Sequence, residues 1–354
     1  MSTWISHSKP FVDDKDISAV VRILKSNYVG TGDEVKELEC SFASYSQRKY
    51  AIAVNSGSFA LKLSLLSLNL KRKGEIATSV YVCPAVVNVI LELGYKPRFI
   101  DVGKDDVNID VTALVSHIKS DRKVLAVIIP YAGGYAAEIG LILGERVPVI
   151  EDCAASIGST VSNKQVGNRG ILSVFSFAST KMITGGSGGM VVTDSKNCHE
   201  NIIETMKYDY PIKVKGHLNA RYNCLMNNLQ AALISSQLNK LDHFIKLRRE
   251  IAQRYDSILS DKKNVRLIKP KNNSPSYYRY VFLTKERKRI IEGLRAKNID
   301  VRISFAHFMY KPGSPGRDYP NARQLDAELV SLPIYPALSL KEQDRILETL
   351  DKIL

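Results

Sequence analysis

The chain has 354 residues, 45% hydrophobic and 24% charged, with a formal net charge of +14. That length makes about two domains with a substantial core, and no apolar run reaches the roughly 20 residues that span a bilayer. Five cysteines (Cys40, Cys83, Cys153, Cys198, Cys224) without a CxxC pair, and six histidines without HxxxH or HxH spacing, argue against a disulfide framework and a metal site.

The N-terminal "MSTWISHSKPF" lacks the basic-then-apolar pattern of an export signal, so the protein is expected in the cytoplasm. The basic clusters "LKRKGE", "KLRRE" and "KERKRI" are mixed with acids, and no aromatic-studded strand or recognition helix accompanies them. Nucleic acid is therefore not the expected partner. The charge reads as a solvated basic surface whose field also favours anionic small molecules.

"DDKDISAVVRILKSN" opens on aspartates suited to a helix N-terminus, and Ile17, Val20, Val21 and Leu24 fall at helical spacing. "YAIAV" reads as a strand running into Ser56, Gly57 and Ser58, after which Leu61, Leu65 and Leu68 lie on one helical face. The runs "EIATSVYV", "KPRFIDV", "VLAVIIPY", "VPVIED", "ILSVFSF" and "GGMVVT" are short and rich in β-branched residues, with polar or Gly/Pro positions at their ends. Strands spaced by helices of this length predict an α/β fold with a mostly parallel sheet covered on both faces. From "NNLQAALISSQLNKLDHFIKLRREIAQRYDSIL" one long helical pattern persists to about Leu259. "YYRYVFLT" then reads as a strand, and "KERKRIIEGLRAKN" and "KEQDRILETLDKIL" as helices. A large domain over 1–240 and a smaller α+β domain over 241–354 are expected.

Ligands of open α/β sheets bind beyond the carboxyl ends of the strands, and three features fall there. "VNSGSFALKL" places small residues at a helix N-terminus, which is either a phosphate seat or ordinary capping. "VPVIEDCAASIG" ends a buried strand on Glu151 and Asp152. An unpaired carboxylate is costly there, so each is expected to have a cationic partner. For Glu151 a salt bridge to Arg or Lys suffices. For Asp152 the protonated ring nitrogen of a cofactor serves equally well. In "FSFASTKMITGGSGG" the lysine, Lys181, precedes the glycines, unlike the phosphate loop of nucleotide hydrolases. No GxGxxG follows a strand either, so a dinucleotide fold is not supported. A lysine hemmed in by small residues at a strand end suits imine chemistry, and the glycines behind it read as room for it to move. A phosphate seat, a carboxylate for a ring nitrogen and an amine for an aldehyde together match pyridoxal 5′-phosphate.

These residues carry a resemblance along nearly the whole chain. "NYVGTGDEVKELECSFASY", "NSGSFAL", "VPVIEDCAASIG", "FSFASTKMITGGSGGMVVT", "RYNCLMNNLQAALISSQLNKLDHFIKLRREIAQRY" and "LVSLPIYPALS" are similar to successive blocks of the DegT/DnrJ/EryC1/StrS family of sugar aminotransferases. The resemblance implies the type I fold of pyridoxal-phosphate transferases, with a seven-stranded, mostly parallel sheet. By position it implies Lys181 as the imine lysine, Asp152 as partner of the pyridine nitrogen, and Gly57, Ser58 and Ser176 as holders of the phosphate. Asn223 matches an asparagine that reaches the neighbouring subunit's cofactor, which implies a homodimer; taken alone it reads as a helix cap. Two positions depart from the pattern. Ala155 stands where a Gln or His nears the phenolic oxygen, and Cys83 where an aromatic stacks on the ring, with Tyr81 on the same strand face as its nearest substitute.

The activity implied is transfer of an amino group, from glutamate, to a keto sugar carried on a nucleotide. Two alternatives stand beside it. Sugar dehydratases of the family carry histidine in place of the lysine, and Lys181 speaks against that reaction. A non-catalytic relative would find its support in Ala155 and Cys83. Substrate contacts are expected in "KYDYPIKVKGHLNA" and "RISFAHFMYKPGSPG". There Arg302, His307 and Tyr310 read equally as contacts or as solvated loop residues.

Overall fold

The computed structural model of the chain describes residues 4–70, 74–209, 220–269, 273–303, 307–308 and 319–354. The expected strands all form: β1 (Tyr50–Val54), β2 (Glu75–Ser79), β3 (Lys96–Ile100), β4 (Val124–Pro130), β5 (Val149–Asp152), β6 (Leu172–Ser176) and β7 (Gly189–Thr193). They join in one seven-stranded sheet of order β1-β7-β6-β5-β4-β2-β3. β7 runs antiparallel to both neighbours, and every other neighbouring pair is parallel. The carboxyl ends of six strands therefore reach the same edge.

Alternation along the strands feeds two cores. On one face Ala51, Ala53 and Val127 pack under α2 (Asp33–Ser46), α5 (Val111–Ser120) and α7 (Asn228–Leu238). On the other, Ile52, Val54 and Ile128 pack under α3 (Gly57–Ser67), α4 (Pro84–Glu92) and α6 (Lys196–Met206). A third core surrounds a three-stranded antiparallel sheet of β8 (Val265–Leu267), β9 (Tyr280–Thr284) and β10 (Leu329–Leu332). It is covered by α8 (Leu241–Leu259), α9 (Arg287–Ala296) and α10 (Leu340–Ile353). Leu241 and Phe244 of α8 sit in the first core, and Tyr255 and Leu259 in the third, so this helix ties the two sheets together. Near the N-terminus, Ile5 bridges by its backbone to Ile299 and joins the third core as well.

Two elements differ from the local pattern. The single long helix expected to Leu259 is broken at Asn239–Lys240 into α7 and α8. Here Lys240 Nζ is held by Asp13 and Asp16 at 2.8 and 2.6 Å, partners more than 220 residues away in sequence. Helix α1 (Asp14–Ser26) forms where expected and is capped by Asp13 in a capping box with Asp16. Its apolar stripe, however, does not face inward. Asp16 is fully buried and also accepts hydrogen bonds from Ser236 and Gln237, at 2.6 and 2.7 Å. That polar anchor fixes which face meets α7 and leaves Ile17 and Leu24 each 52% exposed. No helix among the described residues is long and apolar enough to cross a membrane.

Candidate active site

A cavity of about 280 Å³ opens at the carboxyl edge of the seven-stranded sheet. Its walls include Gly57, Ser58, Cys83, Asp152, Ala155, Ser176 and Lys181, seven positions that sequence reasoning named from segments far apart in the chain.

The turn after β1 enters α3 with Ser56 as N-cap, its hydroxyl accepting from the Phe59 N–H at 3.2 Å. Gly57 is required by proximity. A Cβ there would lie 2.8 Å from Ser176 Cβ at the end of β6. The helix N-terminus thus closes onto the neighbouring strand end, with its free N–H groups at the cavity wall, an arrangement suited to a dianionic phosphate.

Asp152 ends β5 and is half-buried, one carboxylate oxygen accepting from the Ala154 N–H at 3.0 Å. Burial raises its carboxyl above the ordinary value, and the Ala154 N–H and the Lys181 ammonium offset part of that rise. Glu151 has a different setting from the salt bridge expected. It is 0% exposed and accepts from Tyr131 Oη (2.8 Å), Ser173 Oγ (3.1 Å) and the N–H groups of Gly167, Arg169 and Gly170 (3.2, 2.8 and 2.7 Å). Backbone dipoles, not an arginine, neutralise it. Glu151 pins the loop before β6, whereas Asp152 is left to the cavity.

Lys181 sits in the β6–β7 loop, where its N–H meets the Ala178 carbonyl at 2.9 Å. The loop is closed by Phe177 N–H to Gly188 O (2.9 Å) and Gly185 N–H to Phe177 O (3.0 Å). The glycines behind the lysine serve the backbone, not open room: Gly186 takes a left-handed turn at φ 76°, and Gly185 serves close packing. A Cβ on Gly185 would come within 2.7 Å of Ile234 on α7. The amine is not bare, since Nζ lies 5.0 Å from the centroid of the Tyr278 ring.

Tyr278 is the wall residue that sequence reasoning missed. The run "YYRYVFLT" reads as one strand, but the strand begins at Tyr280, and the residues from Ser276 to Arg279 fold back on the loop after β4. Arg279 N–H bonds to Gly133 O at 2.9 Å and Ser276 N–H to Gly134 O at 3.2 Å, bringing Tyr278 to the cavity. Its hydroxyl accepts from Arg279 Nη2 at 3.0 Å and lies 3.4 Å from Thr180 Oγ1. Burial would raise that hydroxyl's pKa. Lys181, Arg279 and the Thr180 contact outweigh it and hold the group below the ordinary tyrosine value. The only sequence signal was an aromatic-arginine pair ahead of a strand.

Tyr81 lines the cavity together with Cys83, which is the exposed N-cap position of α4. The Tyr81–Val82 pair also bridges to the backbone of His307–Phe308. Arg302 pairs with Asp300 at 3.0 Å, and Tyr310 lies outside the described residues. Asn223 is exposed and outside the cavity of its own chain. Neither does it cap a helix, since Asn227 caps α7. The segment carrying it runs beside the end of β1, with Asn55 N–H bonded to Cys224 O at 2.8 Å.

A helix N-terminus free for a phosphate, a carboxylate for a ring nitrogen and an amine for an aldehyde all meet around one cavity, and these residues fit pyridoxal phosphate. Among the described residues no cluster of His, Cys, Asp and Glu could hold a metal ion.

The sequence profile of the DegT/DnrJ/EryC1/StrS aminotransferase family matches residues 10–351. The uncharacterized protein MJ1066 of Methanocaldococcus jannaschii is 31% identical over 98% of this chain and 96% of its own length. Among solved structures, Helicobacter pylori PseC, an aminotransferase involved in the biosynthesis of pseudoaminic acid, superposes with a TM-score of 0.90. It is 26% identical, and 99% of each chain is covered. The PLP form of Spr1654 from Streptococcus pneumoniae has the same fold, with a TM-score of 0.86 at 23% identity over 99% of this chain and 98% of that one.

Proposed function

Since the chain belongs to the DegT/DnrJ/EryC1/StrS family of pyridoxal-phosphate sugar aminotransferases, we propose that it moves an amino group from L-glutamate to a keto sugar carried on a nucleotide. The observation that carries the proposal is the meeting of Lys181, Asp152 and the Gly57 turn around one cavity. Gly57, Ser58 and Ser176 bind the phosphate, and Asp152 holds a proton on the ring nitrogen. The cofactor, when bound, supplies an aldehyde that carries the amine and a ring that accepts electrons. Lys181 Nζ would take the proton from the donor's α-carbon and hand it on to the carbon of the cofactor's aldehyde, acting first as base and then as acid. Tyr278 gives that amine an aromatic face to rest on between steps. Cys83 and Ala155 leave the walls beside the ring without the stacked aromatic and the Gln or His of the family pattern. Tyr81 supplies aromatic surface nearby.

The active unit is a homodimer. Asn223 is exposed and does not line its own cavity; it lies next to the end of β1, as a residue serving a neighbouring subunit would. Thr31 and Asn228 fasten the loop after α1 to this same region, through Met226 O and Tyr28 O at 2.7 and 2.8 Å. The solvent-facing Ile17, Val21 and Leu24, with Tyr28 and Val29 beyond them, supply apolar surface for a partner. Residues 1–240 form the cofactor-holding part and 241–354 the smaller part, with Ile5 packed into the smaller part's core and Tyr278 lent to the cavity wall. The basic surface attracts a diphosphate-linked substrate.

Protein given pyridoxal phosphate is expected to show the visible absorption of lysine-bound cofactor. Glutamate should remove that band and a nucleotide-linked keto sugar restore it. Lys181→Ala should show neither change. A wild-type protein that never develops the band refutes the function, and one bleached by glutamate that no keto sugar restores refutes the acceptor.

A further inference from the structure

Among the described residues, the two arginines behind Tyr278, Arg248 and Arg279, have no carboxylate partner. Arg279 is 9% exposed, and its guanidinium lies 4.1 Å from the centroid of the Tyr278 ring. Arg248 is buried on α8 and donates from Nη1 to the carbonyls of Ile334, Tyr277 and Tyr278 at 2.9, 3.1 and 3.4 Å. Burial lowers both arginines, Arg248 to about 9 with the charge of Arg279 adding to it, and Arg279 with that of Arg302; among the described residues neither has a carboxylate partner. Lys181 approaches the same phenol from the cavity side.

The two arginines are held differently. Arg248 has three carbonyls and joins α8 to the segments around it, a scaffold role. Arg279 has the Tyr278 hydroxyl at 3.0 Å and one carbonyl at 3.4 Å. A guanidinium carries five N–H donors in a rigid fork, so most of its capacity is unspent. The hydroxyl it holds accepts the arginine's hydrogen, which leaves the phenol's own proton to be donated. Thr180 Oγ1, at 3.4 Å, is a weak competitor for it. A donor polarised by a buried cation, at the wall of a cavity and beside a second cation, recognises an oxyanion.

We propose that Tyr278, with Arg279 behind it, is the seat of a carboxylate of the amino donor. The assignment rests on the aminotransferase reading and goes beyond it. It places recognition of the donor's carboxylate on the residues just ahead of β9, not on the seven-stranded sheet. A carboxylate held at Tyr278 stands beside the ring that Lys181 Nζ faces, so the donor's amine and α-carbon lie within reach of the lysine. Arg279 is a positioning residue that acts through the phenol, and Tyr278 touches the donor.

The test uses protein loaded with pyridoxal phosphate and glutarate, a dicarboxylate with no amine to react, titrated by calorimetry. Tyr278→Phe and Arg279→Gln should each weaken glutarate about tenfold or more, as expected for a lost charge-assisted hydrogen bond, and Arg279→Lys should recover part of the loss. The glutamate concentration needed to bleach the cofactor band should rise by a similar factor, with the plateau rate changed less. Uridine diphosphate binding should be unaltered in all three variants. Variants that keep the cofactor band and bind glutarate as the wild type does overturn the proposal. So do variants that lose uridine diphosphate and keep glutarate, which would give the corner to the second substrate. A wild-type protein without lysine-bound cofactor fails earlier, at the aminotransferase reading itself.

Discussion

His7 offers a pH experiment whose size follows from the structure. It is buried near the N-terminus with Nε2 2.9 Å from Ser331 Oγ. Burial, with Arg279 and Arg302 adding to it, lowers its pKa from 6.5 to about 3. The unfolded chain therefore takes up a proton at His7 that the folded chain refuses. Stability from this group is full above pH 6.5, falls as pH drops below it, and levels off near pH 3. Between neutral pH and about pH 5, the loss is about 1.5 pH units times about 1.4 kcal/mol, or about 2 kcal/mol. His7→Gln keeps a hydrogen-bonding side chain for Ser331 and removes the titration. Urea unfolding of both proteins at about pH 7.5 and about pH 5 isolates the term, because the other titrating groups are common to the two. The wild type should lose about 2 kcal/mol more than the variant on acidification. Equal losses would mean that His7 is protonated in the folded protein, and that burial beside Arg279 and Arg302 does not keep it neutral.

The phosphate seat and the shared site make further predictions. Gly57→Ala forces a Cβ against Ser176 and should weaken pyridoxal phosphate about tenfold or more by displacing the α3 N-terminus. Cofactor titration followed by absorbance measures this, and an unchanged affinity would place the phosphate elsewhere. If Asn223 serves the neighbouring subunit, inactive Lys181→Ala and Asn223→Ala proteins mixed under exchanging conditions should regain activity. Random pairing makes half the dimers hybrid, each with one intact site, so about a quarter of wild-type activity is expected. No recovery, with hybrids demonstrated by mass, would place Asn223 in its own chain's chemistry.

What the sequence alone determined was local and periodic. β-branched runs of five or so residues gave all seven strands of the large sheet, because strand burial is written in alternation over short spans. The chemistry at their ends was legible for the same reason. Asp152 and Ser176 end strands, and Gly57 and Lys181 lie three and five residues past one, where parallel topology gathers ligand-binding groups. Only the tertiary structure decided the rest. The antiparallel course of β7 is a choice of partner, not of propensity. α1 shows its apolar stripe to solvent because Asp16 is bound by residues more than 200 positions away. The α7–α8 break coincides with Lys240 held by Asp13 and Asp16, a contact that no local pattern reports. Glu151 and Asp152 look alike in sequence, yet one is neutralised by backbone N–H groups and the other left to the cavity. Tyr278 reaches Lys181 through hydrogen bonds to Gly133 and Gly134, almost 150 residues earlier in the chain. Helical and strand periods report which residues are buried within about ten positions of one another. They carry no information about which distant side chain completes a charge or a hydrogen bond, and packing of the whole chain settles that.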